Sequence, residues 1–83
     1  MKKAAALRYD KAKENAPRVV AKGDGLVADN IIKIAELHNL PIKKDEDLVE
    51  LLSKVELDKE VPEALYKVVA ELFSFVYRVT KKN

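Results

Sequence analysis

The chain has no cysteine and no tryptophan, a single histidine, two glycines and three prolines among its 83 residues. Without cysteine there is neither a disulfide framework nor thiol chemistry, which fits a reducing compartment. The lone histidine, His38, removes histidine-based metal clusters, and nearby Glu36 does not complete a site. Such a residue near a helix end packs or caps. Ser53 and Ser74 fall within predicted helices with no base at helical spacing, so nucleophilic catalysis has no support. The carboxylates Asp45, Glu46 and Asp47 read as a helix start rather than an acid–base pair. Long apolar runs are also missing. After Met1-Lys2-Lys3 only Ala4 to Leu7 precede Arg8, too little for the core of a signal peptide. No run approaches the ~20 residues of a membrane span. A soluble, cytoplasmic protein that is not an enzyme and needs no metal or cofactor is therefore expected.

Charge is scarce in net terms, at +2. Basic residues gather at the ends (Lys2, Lys3, Arg8, Lys11, Lys13; then Arg78, Lys81, Lys82), without a dense stripe or interleaved aromatics. Nucleic acid is not an expected partner.

What is present describes a small folded domain. The composition, 48% hydrophobic and 36% charged, is that of a globular rather than a disordered chain. Residues 1–83 form one domain, with 1–3 and 80–83 read as flexible ends. A chain of this size buries only ~60% of its unfolded surface, which leaves little room for a catalytic cleft.

The middle of the chain carries the strongest local signal. Val19-Val20-Ala21-Lys22 stops at Gly23-Asp24-Gly25, and an apolar helical pattern starts at Leu26. The glycines permit a tight reversal, and Asp24 is placed to cap the helix. Ala4 to Tyr9 alternates as a strand, and Pro17 suits the start of a second strand, Arg18 to Ala21. Helix Leu26 to His38 puts Val27, Ile31, Ile34, Ala35 and His38 on one stripe, with Ala28 and Ile32 beside it. Asn39 fits a left-handed cap, and Leu40-Pro41-Ile42 reads as a third strand. The resulting strand–helix–strand is expected to be a right-handed parallel crossover. Asp45 caps a helix over Glu46 to Lys54, and Val61-Pro62-Glu63 opens the last helix. The expected fold is thus α/β (α+β), with a small mixed sheet of about three strands and three helices around it.

The last helix has more apolar surface than one face needs. Leu65, Val68, Val69, Leu72, Val76 and Val79 form a core stripe, while Tyr66, Ala70, Phe73 and Tyr77 form a second. The apolar arc spans roughly 220° at ~100° per residue, against little over 100° for a surface helix. Either the helix packs into a cleft, or the second stripe lines a groove for a partner. A competing reading takes Gly23-Asp24-Gly25-Leu26-Val27-Ala28 as a dinucleotide fingerprint, with Asp45 or Asp47 as the ribose-binding acid. Against it, an acid between the glycines repels a pyrophosphate, and two parallel strands are too few for such a site.

Taken in order, Ala6-Leu7-Arg8-Tyr9-Asp10, Ala16-Pro17-Arg18-Val19-Val20-Ala21-Lys22-Gly23, Pro41-Ile42, Leu48-x-x-Leu51-Leu52 and Val61-Pro62-x-x-Leu65-Tyr66-x-x-Val69-Ala70-Glu71 closely resemble the FlhB/YscU family. These are the substrate-switch proteins of flagellar and type III export machines. The resemblance is to the C-terminal part of their cytoplasmic domain and covers Ala4 to Arg78. Family members carry transmembrane helices and a self-cleaving Asn-Pro-Thr-His loop, but no Asn-Pro pair occurs in these 83 residues. Self-cleavage is therefore not transferred, and the chain is expected to stand in for the fragment that cleavage produces.

The resemblance implies two interaction surfaces. A substrate-docking pocket would use Ala16, Pro17, Ala70 and Phe73, with Tyr66 and Tyr77 at its rim; Phe73 departs from the common aliphatic residue and threatens to fill it. A strand edge over Ala4, Ala5, Ala6, Leu7, Arg8 and Tyr9 would accept the membrane-anchored N-terminal part of a relative, another export-gate protein or a second copy. Export substrates and the gate are the implied partners, with a peripheral place at the membrane-embedded gate. A small nucleotide binder and an adaptor that has lost its export role are the alternatives.

Overall fold

The computed structural model describes residues 2–10 and 12–80, with 79–80 by backbone alone. Two antiparallel strands, β1 (Lys3–Arg8) and β2 (Arg18–Asp24), run straight into helix α1 (Gly25–Leu37). Helix α2 (Glu46–Leu52) follows, then a single 3-10 turn (Glu63–Leu65) that leads into α3 (Tyr66–Thr80). The α/β class and the three helices agree with expectation, while the sheet is simpler. Lys3 belongs to β1 and Thr80 to α3, whereas Met1 and residues 81–83, expected as flexible ends, lie outside the described residues.

The expected third strand does not form. Among the described residues Leu40-Pro41-Ile42 is irregular and pairs with nothing, and the sheet holds no parallel crossover. The reason is local. Asn39 takes φ 56°, and the amides of Asn39 and Leu40 return to the carbonyls of Glu36 and Ala35 at 3.1 and 2.9 Å. This double closure reverses the chain away from the sheet. The neighbouring place along β2 is taken instead by residues 58–61. Asp58 N–H donates to the Val19 carbonyl at 2.7 Å, and Val19 N–H to the Lys59 carbonyl at 3.1 Å.

A bulge sets which side chains face the core. Ala6 lies opposite Ala21 but Leu7 lies opposite Val19, so Val20 is the extra residue on β2. Ala5 and Leu7 then share one face of β1, and their partners on β2 are Lys22 and Val19. Val19, Val61 and Val69 are fully buried together with Leu48, Leu52 and Val55. Each such aliphatic side chain contributes about 1.5–3 kcal/mol by its removal from water. Lys22 follows Val19 toward the interior side and donates Nζ to the carbonyls of Ser53 (3.0 Å) and Val55 (2.7 Å) just beyond α2. Its stem lies along the sheet while its charge satisfies carbonyls at a helix C-terminus.

The Gly23-Asp24-Gly25 turn also differs from expectation. Only Gly25 has a positive φ, 55°. Gly23 is needed for space: a Cβ there would collide with the Val27 side chain. Asp24 occupies the N-cap position without a capping hydrogen bond and instead meets Lys3 at 3.3 Å. Asp45 does cap α2, accepting from Leu48 N–H at 3.0 Å.

Lys22→Met therefore loses about 1.5–3 kcal/mol, the worth of hydrogen bonds to a charged donor. Asp24→Asn, in an exposed pair, changes stability by about 1 kcal/mol or less. Urea denaturation of the two variants measures the contrast.

Candidate functional site

The loop from Asp10 to Pro17 is held by one carboxylate. Glu14, whose side chain is only 7% exposed, accepts from Arg8 Nη2 at 3.0 Å and from Asp10 N–H at 2.8 Å, and forms an ion pair with Arg18 Nε at 3.1 Å. It thereby ties the end of β1, the loop and the start of β2 to one point. Arg8, and then the Asp10 amide, hold its carboxyl below the usual carboxylate range. Arg18 reaches further and donates Nη1 to the Asp58 carbonyl at 2.7 Å. Val61 N–H donates to the Pro17 carbonyl at 2.8 Å. Ala16 is buried at the base of this arrangement, and Pro17 is half-buried.

Across from the loop runs α3, and between them lies an open groove of about 880 Å³. Ala16 and Pro17 form one wall; Tyr66, Ala70, Phe73 and Tyr77 form the other, so all six residues expected at a pocket and its rim line the same space. Ala70, Tyr66 and Tyr77 are exposed, and Phe73 is half-buried. Phe73 does not fill the groove. Its ring leans on Tyr9, with centroids 5.8 Å apart and planes tilted by 55°.

Tyr9, Asn15, Val69, Ser74, Val76 and Arg78 also line the groove, and the sequence reading did not place them there. Tyr9 was read as a strand-edge residue, but β1 ends at Arg8 and Tyr9 turns to Phe73 instead. Nothing in the alternation of Ala4 to Tyr9 signals that change. Ser74 and Arg78 sit one position beyond Phe73 and Tyr77, so a helical wheel that included polar flanks would have found them. The remaining expected edge residues, Ala4 to Arg8, lie within β1, and β2 is their sole strand partner among the described residues. The strand edge and the groove therefore share no residue, Tyr9 lying in the groove alone.

The nucleotide reading is weakened by the geometry. The Asp24 carboxylate stands where α1 begins, against an incoming phosphate, and the two strands run antiparallel.

Comparison with known proteins agrees with the resemblance in the sequence. The family model described as "FlhB HrpN YscU SpaS Family" matches residues 1–76. The chain is 53% identical over 79 residues to Uncharacterized protein YlqH of Bacillus subtilis (strain 168), covering 95% of this chain and 85% of that protein. It is 41% identical over 80 residues to Flagellar biosynthetic protein FlhB of Aquifex aeolicus (strain VF5), covering 95% of this chain but 23% of the relative. The structure superposes on the cytoplasmic domain of FlhB from Shewanella putrefaciens with a TM-score of 0.90 and 31% identity. That match covers 95% of this chain and 62% of the other.

Because Glu14 titrates below its ordinary range, its hold on the loop is complete above the pKa of a free glutamate, ~4.3, and is lost only as pH falls through the lowered value. Protection factors, measured against the intrinsic exchange rate at each pH, are expected to hold at the Asp10 and Val61 amides down to pH ~4.3 and to fall below it. In Glu14→Gln the same amides exchange faster at neutral pH, and their low-pH step is diminished.

Proposed function

Because the chain belongs to the FlhB HrpN YscU SpaS family, we propose that it is a non-enzymatic component of a flagellar or related type III export apparatus. It acts on the cytoplasmic side, in the role of the C-terminal fragment that longer relatives produce by cleavage. Matched FlhB relatives are about four to five times its length, as the 23% and 20% coverages indicate. The membrane-spanning work of those proteins is therefore not assigned to these 83 residues. The Bacillus subtilis relative, of which the match spans 85%, supports the existence of short family members.

One observation carries the reading: Ala16, Pro17, Ala70 and Phe73 line one open, mainly apolar groove. The occupant is an apolar side chain of an export substrate, inserted between the Pro17 ring and the small Ala70. Small residues at that point leave space, while Tyr66, Tyr77 and Phe73 offer broad aromatic contact. A second surface is the outer edge of β1, which accepts a strand from the anchored part of a longer relative by adding to the sheet. Its support is that β1 has only β2 beside it among the described residues.

Ala70→Glu places a charge in the groove from an exposed helix position, so the fold is expected to survive. Peptides from export substrates should then bind at least ~10-fold more weakly by fluorescence anisotropy, a loss of about 1.4 kcal/mol. Undiminished affinity in a folded variant contradicts substrate docking and favours an adaptor role. In the same series, amide protons of Ala4 to Leu7 should exchange more slowly when the anchored relative's cytoplasmic part is added; unchanged rates remove the strand-addition reading.

A further inference from the structure

Helix α1 is apolar on two opposite faces. Ala28 is fully buried, and Ile31, Ile32 and Ala35 are half-buried on the side toward the strands. On the other side Leu26 (81% exposed), Leu37 (75%), Ile34 (55%) and Val27 (53%) lie open around the exposed Asn30, and Leu40 and Ile42 beyond the helix end are exposed as well. A helix with apolar side chains on both its inner and its outer side is normally covered on both. These side chains expose on the order of 600 Å² of apolar surface, the top of the range for monomers and near the ~800 Å² that one partner contributes to a standard interface. Among the described residues nothing covers it.

We infer that this face pairs with the same face of a second copy, α1 against α1 in antiparallel orientation about a two-fold axis near Ile31. The charges on one flank carry the assignment of the occupant. Asp29 and Lys33 are four residues apart and stand at the border of the patch. In an antiparallel pair centred near residue 31, Leu26 meets Leu37 of the second copy. Lys33 of each copy meets Asp29 of the other, twice over by symmetry. Asp29 Oδ1 holds Lys2 Nζ at 2.8 Å, and a carboxylate has acceptor capacity for more than one donor. Among the described residues Lys33 has no ionic partner within its own chain. The opposite flank, with Val27 and His38, carries no acid or base pair that would oppose this register. Neither the groove beside α3 nor the outer edge of β1 takes part, so the dimer leaves both available.

Sedimentation velocity of the 83-residue chain, from ~1 to ~300 µM, tests the pairing because interfaces of this size give micromolar or tighter constants only when well matched. A monomer–dimer equilibrium is expected in that range. Leu37→Glu, at an exposed position, should raise the dissociation constant at least ~10-fold with helix content unchanged. Lys33→Asp alone should weaken the dimer, and Lys33→Asp combined with Asp29→Lys should restore it. A monomer at every concentration overturns the inference, as does a dimer indifferent to Leu37→Glu. Charge reversal without rescue overturns the antiparallel register. Protection of α1 only on addition of the cytoplasmic part of a longer relative assigns the face to that segment and overturns the second copy as its occupant.

Discussion

The hydrogen bond from Val61 N–H to the Pro17 carbonyl, at 2.8 Å, is the constraint on which the rest of the groove depends. It lies where β2 begins, and it fixes the last residue of the loop that carries Ala16 and Pro17. Residues 58–60 continue the pairing along β2, and Val61 is itself buried against Val19 and Val69. One wall of the groove is thus anchored to the same core that positions α3, the other wall. Backbone groups that leave water must find partners, and here the partners join two segments more than forty residues apart in sequence. Glu14 does for the beginning of the loop what Val61 does for its end. With both ends held, the loop stands off α3 instead of collapsing onto it.

Much of this was legible in the amino-acid pattern, for identifiable reasons. The five regular elements follow from alternation in Ala4 to Arg8, the β-branched run at Val19 and three amphipathic helices. Asn39 and Asp45 behave as their side chains dictate, one in the left-handed region and one accepting from a helix amide. The second stripe on α3, Tyr66, Ala70, Phe73 and Tyr77, lines the groove beside the helix. Other features were hidden because they depend on register or on distant neighbours. The bulge at Val20 brings Lys22 to the interior side. The pairing of residues 58–61 with β2 rests on a few backbone bonds and has no side-chain pattern of its own. Leu40-Pro41-Ile42 looked like a strand because composition alone does not show that the place beside β2 is already filled. Asp24 was a reasonable cap by position, but Lys3 competes for its carboxylate.

The domain is small, and its buried apolar residues are few and mostly valine, leucine and alanine. Two of its larger apolar surfaces, the groove beside α3 and the outer face of α1, lie outside that core. They are also physically separate: the groove uses the loop after β1 and the length of α3, whereas the α1 face sits at the far end of β2. The two proposed surfaces therefore do not compete for the same residues, and the core serves as the frame for both.

The central claim is that the groove between Pro17 and Ala70 is a docking site held open by the loop. The most direct measurement is amide chemical-shift mapping of the labelled chain titrated with an export-substrate peptide. The account predicts shifts at Asn15, Ala16, Ala70, Phe73 and Ser74, with α1 unmoved. Shifts confined to α1 or to β1, with those groove residues silent, would contradict it.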